Sequence, residues 1–357
     1  MKTQLERLRE AMASANVEAV LINSSTNLFW LTGFSGSFGY VILTGSDARF
    51  ITDSRYAVQA KEQVTNMPIV SFSTPKTGMQ VLKEELDGMG VSKISFESVT
   101  VTCAQLAQFE EKVLGIEWSP AGELIENVRM IKSPEEVKLI KAACVLTDAG
   151  FDHIKRLVQV GVTEFEIQLE LEFFFRRNGA TCAFEPIIVS GPNSARPHGK
   201  ATEKPLEEGD LVTFDFGAKL GGYCADMTRT VVVGKASDKT RDIYETVLRA
   251  QLACLEMMKP GVVAEAVDAK AREVFGEKGW AENFGHGLGH GLGILVHDTG
   301  RLGIGSKTVL EPGQIWTVEP GIYFEGFGGC RIEDDVLVTE TGIEIFNHTT
   351  KELLELS

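Results

Sequence analysis

The chain has 357 residues, 43% of them hydrophobic and 24% charged, which is enough for about two globular domains with a large buried core. A formal charge of −15 excludes the basic surface that nucleic acids or anionic membranes require, and is compatible with a small-molecule enzyme that holds cations in an acidic site. No stretch approaches the ~18 apolar residues of a membrane helix. The N-terminus, MKTQLERLREAMASANVEAV, is charged and amphipathic with no signal-peptide core. Six scattered cysteines without a CxxC pair read as buried thiols of a reducing compartment, so the expected location is the cytoplasm.

In chain order, residues 3–16 pattern as a helix with Leu5, Leu8 and Met12 on one face. Strand-like runs follow at 18–23, 39–45 and 48–53, then a helix near 55–65, strands at 68–72 and 93–98, and a helix near 103–114. The alternation predicts an α/β layered domain over residues 1–122. The aromatic, glycine-rich NLFWLTGFSGSFGY (27–40) reads as a packed loop, and no catalytic constellation stands out here.

Residues 123–357 form the second predicted domain. Ser133-Pro134-Glu135-Glu136 is a helix start, with serine as N-cap, proline at N1 and acids in the first turn. This helix runs to about 158. Thr163 caps a second one, ended by Gly179. A strand at 183–191, a loop at 193–202 and a hairpin over Leu211–Val233 follow. Helices at 238–258 and 262–279, the segment FGHGLGHGLGILVHD (284–298) and a second hairpin at 314–340 complete the chain. The domain thus reads twice as two helices followed by strands, a weak repeat of about 100 residues.

Each hairpin carries one acid per arm. Asp215 and Asp226 are nearly equidistant from the Gly221-Gly222 turn, and Glu319 and Glu333 from Gly326. Acids so placed lie opposite or diagonal on one face of an antiparallel pair, unless a shifted register turns them to water. Opposed carboxylates destabilise a ladder unless one is protonated or a cation holds them. If the two halves pack about a pseudo-two-fold, four carboxylates converge, a set that with one imidazole suits Mn, Co, Fe or Zn, and two such ions would make a hydrolytic site. The imidazole comes from His286, His290 or His297, half of the six histidines in a 12-residue window where repeated glycines bring backbone close to a ligand. His198, in the RPHG loop, is a weaker candidate. The FDFG of 214–217 lacks the companion motifs of a kinase, HGLGHG is not HExxH, and no serine or cysteine sits in a nucleophile elbow.

The series FDFG, ADMTRT, GHGLGHGLGILVHD, VEPGIYF and RIEDD resembles the Xaa-Pro aminopeptidase and prolidase family of metallopeptidases, and VRMIKSPEEVKLIKAA and NSARPHG resemble the same family. The resemblance covers the whole second domain. The first domain resembles the creatinase-type N-terminal domain through weaker motifs. It implies an α+β protein: a pita-bread catalytic domain with a pseudo-two-fold repeat, preceded by a smaller α/β domain. It implies that Asp215, Asp226, His290, Glu319 and Glu333 ligate two divalent ions (Mn, Co or Zn), with Asp226 and Glu333 bridging both. A hydroxide between the metals would attack the carbonyl before proline, and Glu319 would shuttle the proton. His198 and His297 would contact substrate, and His286 would line the proline pocket. Thr228 and Arg331 would support the ligands, Arg331 also lying with the substrate-binding groups. Arg301, four residues after His297, is the candidate for binding the free carboxylate of a dipeptide. The implied partners are short peptides with proline second, in a homodimer without nucleic acid or membrane. One departure is Asp298, where many relatives have glutamate. The alternatives are a catalytically dead binding protein or another aminopeptidase of the same fold. Dipeptidase and aminopeptidase both stay open.

Overall fold

The computed structural model describes residues 2–357, which divide into two compact units, one ending at Arg129 and the other running from Met130 to Ser357. The first unit holds α1 (Gln4–Ser14), β1 (Ala19–Ile22), α2 (Ser25–Thr32), β2 (Tyr40–Thr44), β3 (Ala48–Asp53), α3 (Ala57–Gln63), β4 (Ile69–Phe72), α4 (Gly78–Gly88), β5 (Lys93–Phe96), α5 (Cys103–Lys112), β6 (Glu117–Pro120) and α6 (Leu124–Met130). Its strands form one sheet in the order β4-β3-β2-β1-β5-β6. All four residues of β1 are buried, as expected of a strand covered on both faces. Two expectations need correction. The stretch 27–40 is no simple loop, because its first residues belong to α2, which Ser24 caps by accepting the Asn27 N–H and Gly33 closes at φ 76°. Asn27, Leu28, Trp30, Leu31 and Thr32 are all buried, two of them polar, and the apolar Phe29 lies on the less buried face, so polarity does not follow the helical period. Helix α4 also went unpredicted, although Thr77 and Gln80 form a capping box at its start.

The second unit repeats one plan. Its first half holds α7 (Pro134–Ile154), α8 (Glu164–Arg177), β7 (Thr181–Cys182), β8 (Ile187–Ser190), β9 (Leu211–Phe216), β10 (Ala218–Leu220), β11 (Tyr223–Cys224) and β12 (Met227–Val233). The second half holds α9 (Asp238–Met257), α10 (Ala264–Gly276), β13 (Gly289–Gly291), β14 (Asp298–Leu302), β15 (Ile315–Val318), β16 (Gly321–Phe324), β17 (Gly328–Arg331), β18 (Asp334–Val338) and β19 (Ile343–Ile345). The last strand, β20 (Glu355–Leu356), returns to pair with β12. Backbone detail repeats as well. Gly161 donates to the Leu206 carbonyl and Leu206 to Val162 (2.9 and 2.8 Å), while Gly261 donates to Leu310 and Leu310 to Val262 (both 2.8 Å). The expected helix starts are present: Ser133 and Thr163 form capping boxes with Glu136 and Glu166.

Each half presents one bent hairpin. In the first, β9 pairs with β12 so that Asp215 faces Thr228, and the same register continues into β10 and β11, where Lys219 faces Cys224. Gly221 and Gly222 close it at φ 58° and 88°, the positive values a tight primed turn requires. The ladder breaks between its two parts, and a Cβ at Gly217 would lie 1.6 Å from the Ala225 carbonyl oxygen, so only glycine permits the crossing. In the second hairpin Val318 faces Asp334 and Gly321 faces Arg331, one register that sets Glu319 opposite Glu333 across the break. Asp226 likewise sits at the break of the first hairpin, as the diagonal neighbour of Asp215. The breaks are where side chains leave the pleat and enter the cleft between hairpins.

Candidate metal centre

One cavity of about 280 Å³ gathers all ten site residues singled out in the sequence: His198, Asp215, Asp226, His286, His290, His297, Arg301, Glu319, Arg331 and Glu333. Phe184, Pro197 and Val296 add apolar wall. The acids arrive from the two hairpins, the imidazoles from the glycine-rich segment and the 191–201 loop. Close approach explains the glycines around His290. A Cβ at Gly289 would meet the Thr317 carbonyl oxygen at 2.1 Å, and one at Gly291 the Thr299 oxygen at 2.0 Å.

His290 has the tautomer of a ligand. Its Nδ1 lies 3.1 Å from the Gly291 carbonyl, which can only accept, so the proton sits there and Nε2 keeps its lone pair. That Nε2 points at Glu319 Oε1 (3.5 Å) and Asp226 Oδ2 (3.7 Å). Burial lowers the imidazole pKa to about 4, which keeps it neutral. Donor atoms of Asp226, His290 and Glu333 all lie within 4.8 Å of one another.

The acids are charged groups short of partners. Burial, then the charges of Glu333 and Asp215, push the Asp226 carboxyl well above its ordinary value. Burial, then Glu319 and Asp215, do the same to Glu333. Glu319 is pushed up to about 8, chiefly by burial. Among the described residues, Asp226 Oδ1 and Glu333 Oε1 are buried with no hydrogen-bond partner. A cation satisfies both conditions at once, since it supplies the missing partner and favours the ionised form. The residues therefore fit divalent metal, and hard oxygen donors with one neutral imidazole are the set such ions take.

Arg331 is the cation the fold itself supplies. It ion-pairs with Asp215, its Nε donates to Thr228 Oγ1 (3.1 Å) and its Nη1 to the Tyr323 hydroxyl (2.6 Å). Thr228 Oγ1 in turn donates to Glu333 Oε2 at 2.6 Å. His286 Nδ1 donates to the Gly287 carbonyl (2.8 Å), and its Nε2 faces the Tyr323 hydroxyl (3.0 Å). Both nitrogens are thus occupied within the protein, and His286 offers the cavity its ring rather than a free donor. His297 packs edge-on to His290 with centroids 4.3 Å apart and is solvent-exposed, as are His198 and Arg301. Arg301 Nη2 donates to the Ile304 carbonyl at 2.8 Å.

Two residues that hold this centre had escaped the sequence reading. Tyr323 joins Arg331 to His286. Asp335, the last acid of RIEDD, accepts the Asp226 N–H (2.8 Å) and the Cys144 thiol (3.2 Å). Tyr323 lies in VEPGIYF and Asp335 in RIEDD, but neither residue type marks its partner.

Comparison with known proteins agrees with this geometry. Residues 138–340 match metallopeptidase family M24, and residues 4–131 match the creatinase/prolidase N-terminal domain. The chain is 36% identical to the Xaa-Pro dipeptidase of Pyrococcus furiosus over 99% of its own length and all of that relative. Among solved structures it resembles the Xaa-Pro dipeptidase from Bacillus anthracis (TM-score 0.95, 41% identity, 99% of each chain). It also resembles the X-Pro aminopeptidase from Thermotoga maritima MSB8 (TM-score 0.91, 33% identity, 97% of this chain and all of that one). The pita-bread architecture that the family resemblance implied is therefore present, a creatinase-type N-terminal domain precedes it in the sequence, and the chain belongs to the M24 metallopeptidase family.

Proposed function

We propose that this chain is a dinuclear metal-dependent exopeptidase that cleaves the bond between an N-terminal residue and proline, with Xaa-Pro dipeptides as preferred substrates. The observation that carries the metal requirement is the unpartnered pair Asp226 Oδ1 and Glu333 Oε1 beside the free Nε2 of His290. The number of donors supports two ions: four carboxylates and the His290 imidazole line the cavity, and they outnumber Arg331 and the exposed Arg301 as fixed cations. Asp215, Asp226, His290, Glu319 and Glu333 would hold the two ions.

Divalent ions in this position supply a Lewis acid that polarises the scissile carbonyl and brings the pKa of water toward neutrality. The rest is done by the chain. Glu319, which lines the cavity with Oε1 3.5 Å from His290 Nε2, can take up a proton at a carboxylate oxygen and release it to the leaving proline nitrogen. His198 and His297 reach the cavity from its exposed rim and would grip the peptide carbonyl region. The His286 ring, its nitrogens already bonded, gives a flat apolar wall suited to a pyrrolidine. Arg301, exposed at the same cavity, supports the dipeptide preference because its guanidinium can pair with the free proline carboxylate. Similar proteins bear both dipeptidase and aminopeptidase names, so the discriminating measurement is kinetic. Metal content of the reconstituted protein is measured beside hydrolysis of an Xaa-Pro dipeptide and an Xaa-Pro-Xaa tripeptide. Two equivalents of metal and a higher kcat/KM on the dipeptide are expected. Less than one equivalent with no Xaa-Pro hydrolysis would overturn the proposal.

A further inference from the structure

We infer that Glu164 is the positioning residue for His198, a step that rests on the peptidase reading above. The first residue of α8, Glu164 is fully buried and far outside the metal ligands in sequence. Its carboxylate closes both ends of the loop on which His198 rides. Oε1 accepts the Ser190 N–H (2.6 Å) and the Ser190 hydroxyl (2.8 Å), at the last residue of β8. Oε2 accepts the Thr202 N–H (3.0 Å) and the Thr202 hydroxyl (2.8 Å). The Asn193 amide spans the two oxygens at 3.4 and 3.3 Å. Residues 191–201 are thus a closed loop with one carboxylate as its clasp, and His198 near its far side lines the catalytic cavity. A second anchor fixes the loop's near side: Ser194 Oγ donates to the Gly191 carbonyl (2.6 Å) and accepts the Gly329 N–H (2.9 Å) from the second hairpin.

The internal repeat shows that this carboxylate is not needed to build the fold. Thr163 bridges to Pro205 in the first half, and Val263 bridges to Val309 in the second. The next residues correspond too: Glu164 N–H bonds to the Lys204 carbonyl and Ala264 N–H to the Thr308 carbonyl. The same junction is therefore made with a buried alanine in the half that has no His198 loop. A buried carboxylate is costly unless fully hydrogen-bonded, so its presence on one side only points to the loop it holds.

The chemistry predicts a sharp test. Each carboxylate oxygen takes one backbone N–H, and a backbone N–H cannot reverse its role. In Glu164→Gln one of those two amides must face an NH₂ group, so one end of the loop is released. Glu164→Asp keeps the charge but is one methylene too short to bridge both ends, and serves if the glutamine variant does not fold. In the metal-loaded enzyme we expect either variant to lower kcat/KM on an Xaa-Pro dipeptide on the order of 10²-fold, with metal content unchanged. In a His198→Ala background the same change should cost less than about threefold, because the group it positions is gone. Amide hydrogen exchange supplies a readout independent of activity: protection should fall across residues 190–202 and stay unchanged in the hairpins. A full loss that persists in the His198→Ala background, or unaltered exchange in that loop, overturns the inference. If the parent binds metal yet cleaves no Xaa-Pro peptide, the peptidase reading fails, while the exchange data still decide whether Glu164 holds the loop.

Discussion

Removing the guanidinium of Arg229 should unfasten the two hairpins from each other. Arg229 is 1% exposed on β12, and Asp334 beside Glu333 is 0% exposed. The Arg229 Nη2 donates to Asp334 Oδ1 at 2.7 Å, and Nη1 donates to the carbonyls of Thr228 (2.9 Å) and Glu333 (2.5 Å). Nη2 and Nε also hold the carbonyls of Thr349 (2.9 and 3.3 Å). Asp334 Oδ2 keeps Lys351 (2.6 Å) and Gln251 (2.8 Å). In Arg229→Met the volume is nearly kept, but Asp334 loses one of two cations and several buried carbonyls lose their donor. Breaking one side of a buried pair costs about 3–5 kcal/mol, and at ~2–4 °C per kcal/mol for a unit of this size the melting temperature should fall by roughly 6–20 °C. Burial alone would raise the Asp334 pKa, yet Arg229 and Lys351 hold it below its ordinary value. A depressed carboxyl contributes stability that is present above the unfolded pKa of ~4 and lost as pH falls through the folded value. The parent therefore keeps this contribution to below pH 4, and Arg229→Met loses it at higher pH. Calorimetry of Arg229→Met, Asp334→Asn and the double variant measures the coupling, which should reach at least ~1 kcal/mol. A melting temperature within 2 °C of the parent, or strict additivity, would refute the reasoning.

The remaining predictions concern the centre itself. Adding Mn²⁺ to chelated protein at ~1,000 times its Kd should stabilise it by about 4 kcal/mol, and Glu333→Gln should abolish most of the shift; an equal shift in both proteins would argue against Glu333 as a ligand. Without metal, the Glu319 carboxyl, raised by burial to about 8, contributes stability that is complete below the ordinary carboxylate pKa and lost as pH rises toward 8. The chelated protein should accordingly melt lower at pH 8 than at pH 5, and Glu319→Gln should flatten that slope. Arg301→Ala should raise KM about 10-fold or more for Xaa-Pro dipeptides and leave longer peptides nearly unaffected; equal effects on both would remove Arg301 from carboxylate binding.

What was legible in the sequence was local. The Ser133 and Thr163 caps announce α7 and α8 because capping chemistry lies within four residues. The hairpin registers follow from where glycine permits a turn, and the register then brings the acids together. Helix α2 stayed hidden because its buried positions include the polar Asn27 and Thr32 while the apolar Phe29 shares the less buried face with Ser25 and Thr26, which blurs the period that marks a surface helix. The supports of the centre were illegible for a different reason. Arg331 and Asp215 are 116 residues apart, and Asp335 and the Asp226 amide 109, so no spacing rule connects them. In the sequence nothing sets Glu164 apart from other acids in a helix's first turn, and only the folded chain shows that it faces a loop rather than solvent.

The hairpins also explain why the centre needs both halves of the repeat. The Asp226 N–H donates to Asp335 Oδ2, and the Glu333 N–H donates to the Thr228 carbonyl at 3.1 Å. Asp335 lies two residues after Glu333, and Thr228 two residues after Asp226. Each bridging-ligand candidate is therefore held at its backbone by the strand that carries the other. The exchange is symmetric in position but not in chemistry: one half gives a carboxylate oxygen, the other a main-chain carbonyl, and Thr228 adds its hydroxyl to Glu333 Oε2. Charge is asymmetric as well. Arg331 stands two residues before Glu333, where the first hairpin has the buried thiol Cys224 before Asp226. A single arginine leaves a set of acids that a divalent ion can enter, whereas a second would have neutralised more of the set with fixed guanidinium charge. The departure from perfect two-fold repetition thus leaves the seam between hairpins with acids that a divalent cation could enter, instead of a closed salt-bridge network.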